Sequence, residues 1–303
     1  MPVLTVQDKQ KVATFFEAKA PYWDEIYQRK DVFSFIHQQR LAIVLEWVEQ
    51  LGLPVSSQIL EVGCGAGLAS VALAKRGYFV RAMDVASGMV ERARQRASAA
   101  GVSDRVITIL GDVHNLAFPD NCFPAVLAIG VIPWVPGPAQ ALQELARVIA
   151  PGGYLLATTD NRWRLHYLLN PARTPLLDPI RRAMKTIRRG LRRPAGQTLN
   201  HLHSLRETDN LFRSAGLKKV RGMTLGFGPF SFFGRQLFAD STGIELHKRL
   251  QDLADRGFPV IRSGGGQYLL LTRKPNSHVP DNAAPVFEAD DCAHSGTSQK
   301  SRY

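Results

Sequence analysis

The chain has 303 residues, 45% of them hydrophobic, and a net charge of +12. It is long enough for one large α/β domain with additions, and it has no apolar run long enough to suggest a membrane-spanning helix. The cysteines Cys64, Cys122 and Cys292 fit neither a zinc-binding pattern nor a disulfide framework. Because residues 1–11 lack the apolar core of a secretory signal, we expect a cytoplasmic protein.

The first part of the chain predicts helices that precede the main fold. Residues 7–51 contain two stretches with helical spacing, separated by an aromatic patch from Tyr22 to Tyr27. Arg40 lies on the second stretch. We expect residues 1–52 to form a helical cap.

A short apolar strand over residues 59–62 runs into three glycines, and an acid follows. Gly63, Gly65 and Gly67 allow a tight turn and a close approach of the backbone to a ligand. A second apolar strand ends at Asp84, where the side chain can accept hydrogen bonds from ribose hydroxyls. The pattern predicts half of a βαβ nucleotide-binding unit.

The spacing of this glycine loop also indicates which kind of nucleotide binds. Leu68 stands where the dinucleotide fingerprint has its third glycine. Glu61, just before the loop, would repel a pyrophosphate and suits a ligand with a cationic amino group. S-adenosylmethionine has an amino acid end, a ribose and an adenine, and no phosphate. The alternative is a strand–turn–helix with purely structural glycines.

The remaining elements alternate between helices and strands. Helices are predicted over residues 89–100, 139–149, 205–215 and 244–255, and strands over residues 106–110, 125–131, 154–159, 217–225 and 268–272. The first of these helices has Ser87 or Asp84 as its N-cap. The fold class is therefore α/β: a Rossmann-like, seven-stranded, mostly parallel sheet with helices on both faces, N-terminal helices and a helical cationic lid insertion.

This alternation divides the chain after the helical cap. Residues 53–160 are predicted to form the cofactor-binding core, and residues 161–200 a basic helical lid. Residues 201–274 complete the sheet. Residues 275–303 are poor in apolar residues and predict a disordered tail.

The segment from Glu61 to Gly67, together with Asp84, resembles motif I and the following acid of class I S-adenosylmethionine-dependent methyltransferases. The layout is most similar to the ubiquinone-biosynthesis-type small-molecule O-methyltransferases. The resemblance covers residues 55–160 well and residues 200–272 weakly. One departure is Pro124, which replaces the aspartate that usually follows Phe123 in this family and is tolerated at the start of a strand.

The resemblance implies S-adenosyl-L-methionine as the cofactor and no metal. It implies that Asp112 accepts from the adenine amino group and that Arg40 meets the cofactor carboxylate. Ile129 and Gly130 would lie under the methionine part. In other interpretations Asp112 is a strand-end acid, Arg40 lies on a solvated helix face and Tyr22 packs between helices. The predicted cofactor-binding residues are Tyr22, Arg40, Glu61, Gly63, Gly65, Gly67, Asp84, Val85, Met89, Asp112, Val113, Ile129 and Gly130.

The lid insertion concentrates positive charge. Ten basic and two acidic residues lie between Asp160 and Asn200, and apolar residues from Ile180 to Leu191 follow helical spacing. Such a segment can lie on an anionic membrane, at its cytoplasmic face, or admit a lipophilic acceptor. The alternative is a solvated lid packed on the domain. Nucleic acid is disfavoured, because the block has no aromatic interleaving and no zinc site.

Methyl transfer requires mainly that the acceptor is positioned and water excluded. A phenol or enol acceptor also benefits from a general base, for which His166, His201 and His203 are the candidates, with Asp160 and His37 after them. A carboxylate acceptor would need no base. The sequence predicts methyl transfer to oxygen of a small lipophilic or aromatic acceptor. The alternatives are an RNA or protein methyltransferase that grips its substrate with the arginine-rich insertion, and a non-catalytic protein with the same fold.

Overall fold

The computed structural model describes residues 6–181, 183, 201–233 and 235–276. The chain begins with two helices, α1 (Val6–Glu25) and α2 (Val32–Gln50), where the sequence predicts them. Asp31 is the N-cap of α2, and its side chain accepts a hydrogen bond from the Ser34 backbone N–H at 2.8 Å. This contact satisfies one of the free N–H groups of the first turn.

A central sheet confirms the predicted fold class. Seven strands run in the order β3-β2-β1-β4-β5-β10-β7. Strands β1 to β5 are parallel, and β10 is antiparallel to both of its neighbours. The short β6 pairs with β5 outside this path, and β8 and β9 form a separate hairpin. The strands are β1 (Gln58–Val62), β2 (Phe79–Asp84), β3 (Val106–Leu110), β4 (Phe123–Ala128), β5 (Ile149–Asn161), β6 (Leu202–His203), β7 (Lys218–Leu225), β8 (Ser231–Phe232), β9 (Arg235–Gln236) and β10 (Gln267–Arg273).

Helices cover both faces of the sheet, as predicted. Alternate residues of a strand point to opposite faces, so Ile59 and Leu60 belong to two different hydrophobic clusters. The first cluster includes Trp47 and Leu73, and the second includes Phe212. The remaining helices are α3 (Leu68–Lys75), α4 (Ser87–Ala99), α5 (Pro138–Val148), α6 (Leu165–Leu168), α7 (Leu205–Ser214) and α8 (Asp240–Asp255).

One local expectation differs from the structure. The N-cap of α4 is Ala86, because the Asp84 side chain accepts from the Ala86 backbone N–H at 3.0 Å and Ser87 is already helical. Pro124 is the second residue of β4, close to the strand start, at a register shift between β4 and β5. Cys64 is a free, buried thiol.

Only the first half of the predicted lid falls within the described residues. It contains α6, a 3-10 turn at Pro175–Leu177 and helical residues from 178 to 181. The rest of the predicted basic helix and nearly all of the predicted tail lie outside the described residues. Among the described helices, none has the length and hydropathy needed to cross a membrane.

Candidate cofactor and acceptor site

A cavity of about 640 Å³ lies at the carboxyl ends of the parallel strands. Ligands of open α/β sheets bind at this edge, and small-molecule sites usually measure roughly 300–1,000 Å³. The strand ends that line it include Glu61, Asp84 and Ile129. Helices α1 and α2 border one side of the cavity, and α6 and the β8–β9 hairpin border another. We refer to the part near the glycine loop as the cofactor end, and to the part near α6 as the acceptor end.

The three glycines of the loop have positive φ angles, and the space around each one differs. A Cβ atom on Gly63 would lie 2.3 Å from Val131 Cγ2, and one on Gly67 would lie 2.8 Å from Ala93 Cβ. A Cβ atom on Gly65 would meet open space. Gly67 therefore allows α3 to approach α4, whereas Gly65 presents bare backbone to the cavity.

Asp84 holds the glycine loop in place. Its Oδ2 atom accepts a hydrogen bond from the Gly65 backbone N–H at 2.9 Å, and Oδ1 accepts from Ala86 at 3.0 Å. Burial raises the pKa of the carboxyl group, and the backbone donors of Ala86, Gly65 and Val85 oppose that rise. The sequence predicts only a contact with ribose, whereas the structure adds this structural role.

Glu61 is buried at the end of β1, where the Ser70 hydroxyl of α3 donates a hydrogen bond to it. Burial is the largest effect on its pKa, and the neighbouring Asp84 adds to it, so the pKa of Glu61 rises to about 7. A bound ammonium group would favour the ionised form of Glu61. The site therefore suits the cation that the sequence predicts.

Arg40 is a buried cation that has no anionic partner among the residues the structure describes. Its guanidinium donates to Gln267 Oε1 and to the Tyr27 hydroxyl, both at 3.3 Å, while its Nε atom has no partner. Among the described residues, no carboxylate lies within ion-pair distance of it. A Cβ atom on Gly130 would lie 3.6 Å from Arg40 Nη1. Because a buried unpaired charge is costly, this arrangement suits a bound carboxylate.

Asp112 is held by a histidine that the sequence does not single out. Asp112 Oδ1 accepts from the His114 backbone N–H at 2.9 Å and lies 2.6 Å from His114 Nδ1. The other ring nitrogen donates to the Pro136 carbonyl at 2.6 Å, since a carbonyl can only accept. His114 thereby connects the loop after β3 to the chain after β4. The only signal in the sequence is its position two residues after Asp112.

The acceptor end contains His166, one of the three predicted general bases. Its side chain lines the cavity, and its Nδ1 atom is buried without a partner. Burial lowers the pKa of His166 to about 3, with Arg164 and Arg173 adding to the effect. The ring is therefore neutral at physiological pH. His37 also lines the cavity, but its Nδ1 atom donates to the Phe33 carbonyl at 2.8 Å.

Most of the predicted residues line this cavity, and four do not. Tyr22 is partly exposed on α1, and Tyr27 lines the cavity in its place. Gly67 contacts α4 instead. His201 and His203 lie outside the cavity lining because β6 pairs alongside β5, where the His203 carbonyl accepts from the Arg162 N–H. The predicted residues in the lining are Arg40, Glu61, Gly63, Gly65, Asp84, Val85, Met89, Asp112, Val113, Ile129, Gly130 and His166.

Comparisons with known proteins find relatives over the middle of this chain. Residues 60–157 match a family model described as a methyltransferase domain. A ubiquinone biosynthesis O-methyltransferase from Alkalilimnicola ehrlichii is 34% identical over 161 residues, which cover 52% of this chain and 62% of the relative. The biotin biosynthesis bifunctional protein BioHC from Teredinibacter turnerae is 26% identical over 160 residues, which cover 50% of this chain and 27% of that protein. The chain thus spans about a quarter to two thirds of the length of these curated relatives.

Solved structures show the same fold over most of the chain. The magnesium protoporphyrin IX methyltransferase of Synechocystis PCC 6803, with bound SAH, has a TM-score of 0.57 at 17% identity and covers 88% of this chain and 99% of its own. The (4+2)-cyclase SpnF has a TM-score of 0.60 at 18% identity, with 88% of this chain and 96% of its own covered. At these identities the likeness shows the fold alone, and a fold can host different chemistries.

Proposed function

We propose that this chain, which contains an S-adenosylmethionine-dependent methyltransferase domain over residues 60–157, transfers a methyl group to oxygen of a small lipophilic or aromatic acceptor. The chain's own residues would bind the cofactor, orient the acceptor and exclude water. The cofactor supplies a methyl carbon already activated by its sulfonium.

One observation carries the proposal: Arg40 and Glu61 line the same cavity and carry opposite charges. Arg40 is buried with no acid partner in the described part of the chain, and Glu61 is buried with a raised pKa. An amino acid end has one carboxylate and one ammonium group, so it would complement both side chains. A dinucleotide would instead bring negative charge towards Glu61.

Two acids at the carboxyl ends of the strands provide the other proposed cofactor contacts. Asp84 is the last residue of β2 and Asp112 follows β3, and both line the cavity. We infer that Asp84 accepts from the ribose hydroxyls and that Asp112 accepts from the adenine amino group. The open space above Gly65 would leave room for the amino acid end.

Of the three histidines proposed as general bases, His166 is the best placed, because it is the one in the cavity lining. Its neutral ring can accept a proton at Nδ1, the atom that has no partner in the described chain. The pKa of about 3 makes the free ring a weak base, so proton transfer to it requires an acceptor hydroxyl that is itself acidic. Transfer to oxygen is supported by relatives named as O-methyltransferases.

Calorimetry with S-adenosylmethionine and S-adenosylhomocysteine tests the cofactor assignment. We expect wild-type protein to bind both, and Arg40→Met and Asp84→Asn each to weaken binding about 10- to 100-fold, because each removes a charge-assisted contact. Arg249→Met is the matched control, since Arg249 is exposed on α8, where it pairs with Glu245. If folded wild-type protein binds neither ligand, the proposed function is wrong.

We also propose that the basic insertion over residues 161–200 contacts an anionic membrane. Its described part exposes Leu169, Leu176 and Ile180, and the neighbouring hairpin exposes Phe232 and Phe233. The two segments are joined, because Asn170 Nδ2 donates to the Ser231 carbonyl at 2.7 Å. Basic residues beside an apolar surface suit an interface rich in anionic lipid.

Flotation with vesicles tests this contact. We expect binding to phosphatidylglycerol vesicles, little binding to phosphatidylcholine vesicles, and a loss of binding in Phe232→Ser/Phe233→Ser. Tighter and strongly salt-dependent binding to RNA than to either vesicle would instead favour the nucleic-acid alternative.

A further inference from the structure

Arg173 lies in the cavity lining at the acceptor end and has no acid partner among the described residues. Its guanidinium is 5.3 Å from the centre of the Tyr167 ring, and its Nη1 atom donates to the Tyr167 hydroxyl at 3.3 Å. None of the carboxylates in the described ranges forms an ion pair with it. Arg181, eight residues later, shows the contrast, because it pairs with Asp178 at 2.6 Å.

A second arginine stacks on the same tyrosine but is already neutralised. The Arg164 guanidinium is 4.6 Å from the Tyr167 ring centre and pairs with Asp160 at 3.3 Å. Arg164 also donates from Nε to the Asn161 carbonyl at 2.8 Å. Of the two cations on Tyr167, Arg173 is therefore the one that can accept an external anion.

The surroundings of Arg173 limit its freedom and supply further polar groups. Stacking and the hydrogen bond to the Tyr167 hydroxyl both restrict the arginine side chain. Ser231 and Gln236 of the hairpin line the same cavity. Asn170, three residues before Arg173, donates from its amide to the Ser231 carbonyl and hydroxyl at 2.7 and 3.2 Å. The Arg173 side chain is exposed, and these contacts hold its guanidinium against Tyr167, where an anion in the cavity can reach it.

The charges around the acceptor end also favour the binding of an anion there. Both arginines contribute to the lowered pKa of His166, so positive potential reaches the interior of the cavity. The acids Glu61 and Asp84 lie at the cofactor end, on β1 and β2. Asp160 also lines the cavity, where it pairs with Arg164 at 3.3 Å. An anion at the acceptor end would thus meet the positive charge of Arg173.

We propose that Arg173, held against Tyr167, binds a carboxylate of the acceptor that is not itself methylated. This rests on the proposed function and deepens it: the acceptors are lipophilic or aromatic hydroxy acids with one free carboxylate. A carboxylate matches the planar fork of a single guanidinium. The apolar walls at this end, among them Phe33 and Pro229, contact the body of the acceptor.

Binding of a matched pair of probes tests the proposal. The protein is first saturated with S-adenosylhomocysteine and then titrated with 3,4-dihydroxycinnamic acid or with its amide. We expect the acid to bind at least tenfold more tightly than the amide to wild-type protein. In Arg173→Gln the acid should lose about 10- to 100-fold in affinity and the amide should be unchanged.

Arg213→Gln is the control, since it removes one positive charge from an arginine that bonds Asn210 on the surface of α7. It should change neither affinity. Equal binding of acid and amide, equal losses of both in Arg173→Gln, or no binding of the acid overturns the carboxylate site. Failure of S-adenosylhomocysteine to bind in the first step refutes the proposed function instead, so the two failures are distinguishable.

Discussion

The cofactor end and the acceptor end of the cavity are built in different ways. At the cofactor end, strand ends and backbone contacts set the shape, as in the bond from Gly65 N–H to Asp84. At the acceptor end, short segments meet through side chains, as in the bond from Asn170 to Ser231. The first is fixed by the sheet, whereas the second depends on a few polar contacts. The comparison shows how one fold can keep its cofactor and change its acceptor.

The charges of the two ends differ as well. The cofactor end contains Glu61, whose pKa rises to about 7 because it is buried. The acceptor end contains Arg173, which is exposed at the rim. Changes at the cofactor end should therefore affect both stability and cofactor binding, whereas changes at the acceptor end should mainly affect acceptor binding.

The largest effect should come from the tightest backbone contact at the cofactor end. Gly67→Ala should lower the free energy of unfolding by about 2–5 kcal/mol, because the new Cβ atom collides with Ala93 and the φ angle is positive. Gly65→Ala has the strained φ angle but open space, so it should cost about 1–2 kcal/mol. Urea unfolding measures both variants, and equal losses would contradict the role assigned to Gly67.

Glu61→Gln should stabilise the free protein at high pH. In the wild type the pKa of Glu61 rises from 4.5 to about 7 on folding, so stability is lost as the pH rises through that window. The variant should therefore gain about 3 kcal/mol at pH 8 and nothing at pH 4. Urea unfolding at both values measures this, with the exposed Glu91→Gln as a control that should show no such gain. A gain for Glu61→Gln that does not depend on pH would rule out this explanation.

Cofactor affinity should fall as the pH is lowered below about 7. Protonation of Glu61 removes the charge that would hold the ammonium group, so the Kd for S-adenosylhomocysteine should rise about tenfold per pH unit below that point. Calorimetry between pH 5.5 and 8 measures the slope. Glu61→Gln should bind weakly with no slope, and a slope retained in that variant would assign the titration to another group.

The smallest effect should come from the hydrogen bonds between Asn170 and Ser231 at the acceptor end. Asn170→Ala removes the two bonds to Ser231 and the bond that Asn170 accepts from the Ala172 N–H, and it should cost on the order of 1 kcal/mol of stability. Affinity for S-adenosylhomocysteine should stay unchanged, while acceptor binding weakens because the hairpin is no longer held. Asn210→Ala, on the surface of α7, is the control. A parallel loss of cofactor affinity would show that the two ends are not independent.

The sequence predicted the cofactor end better than the acceptor end. The glycines, Glu61 and Asp84 are close together in the chain, and the strand–turn–helix that carries them follows from local spacing. Arg40 was placed only through a family resemblance. His114 and Ser70 were missed, because nothing in the chain near them shows what they contact.

The sequence by itself determined the α/β class, the strands of the main sheet and the turn that approaches the cofactor. These depend on hydrophobic periodicity and on backbone conformations that glycine alone adopts readily. Only the tertiary structure decided that His166 faces the cavity while His201 and His203 do not. It also decided which arginines keep an acid partner, as Arg164 does with Asp160, and which do not. The direction and burial of a side chain depend on packing between elements far apart in the chain, and local patterns do not carry that information.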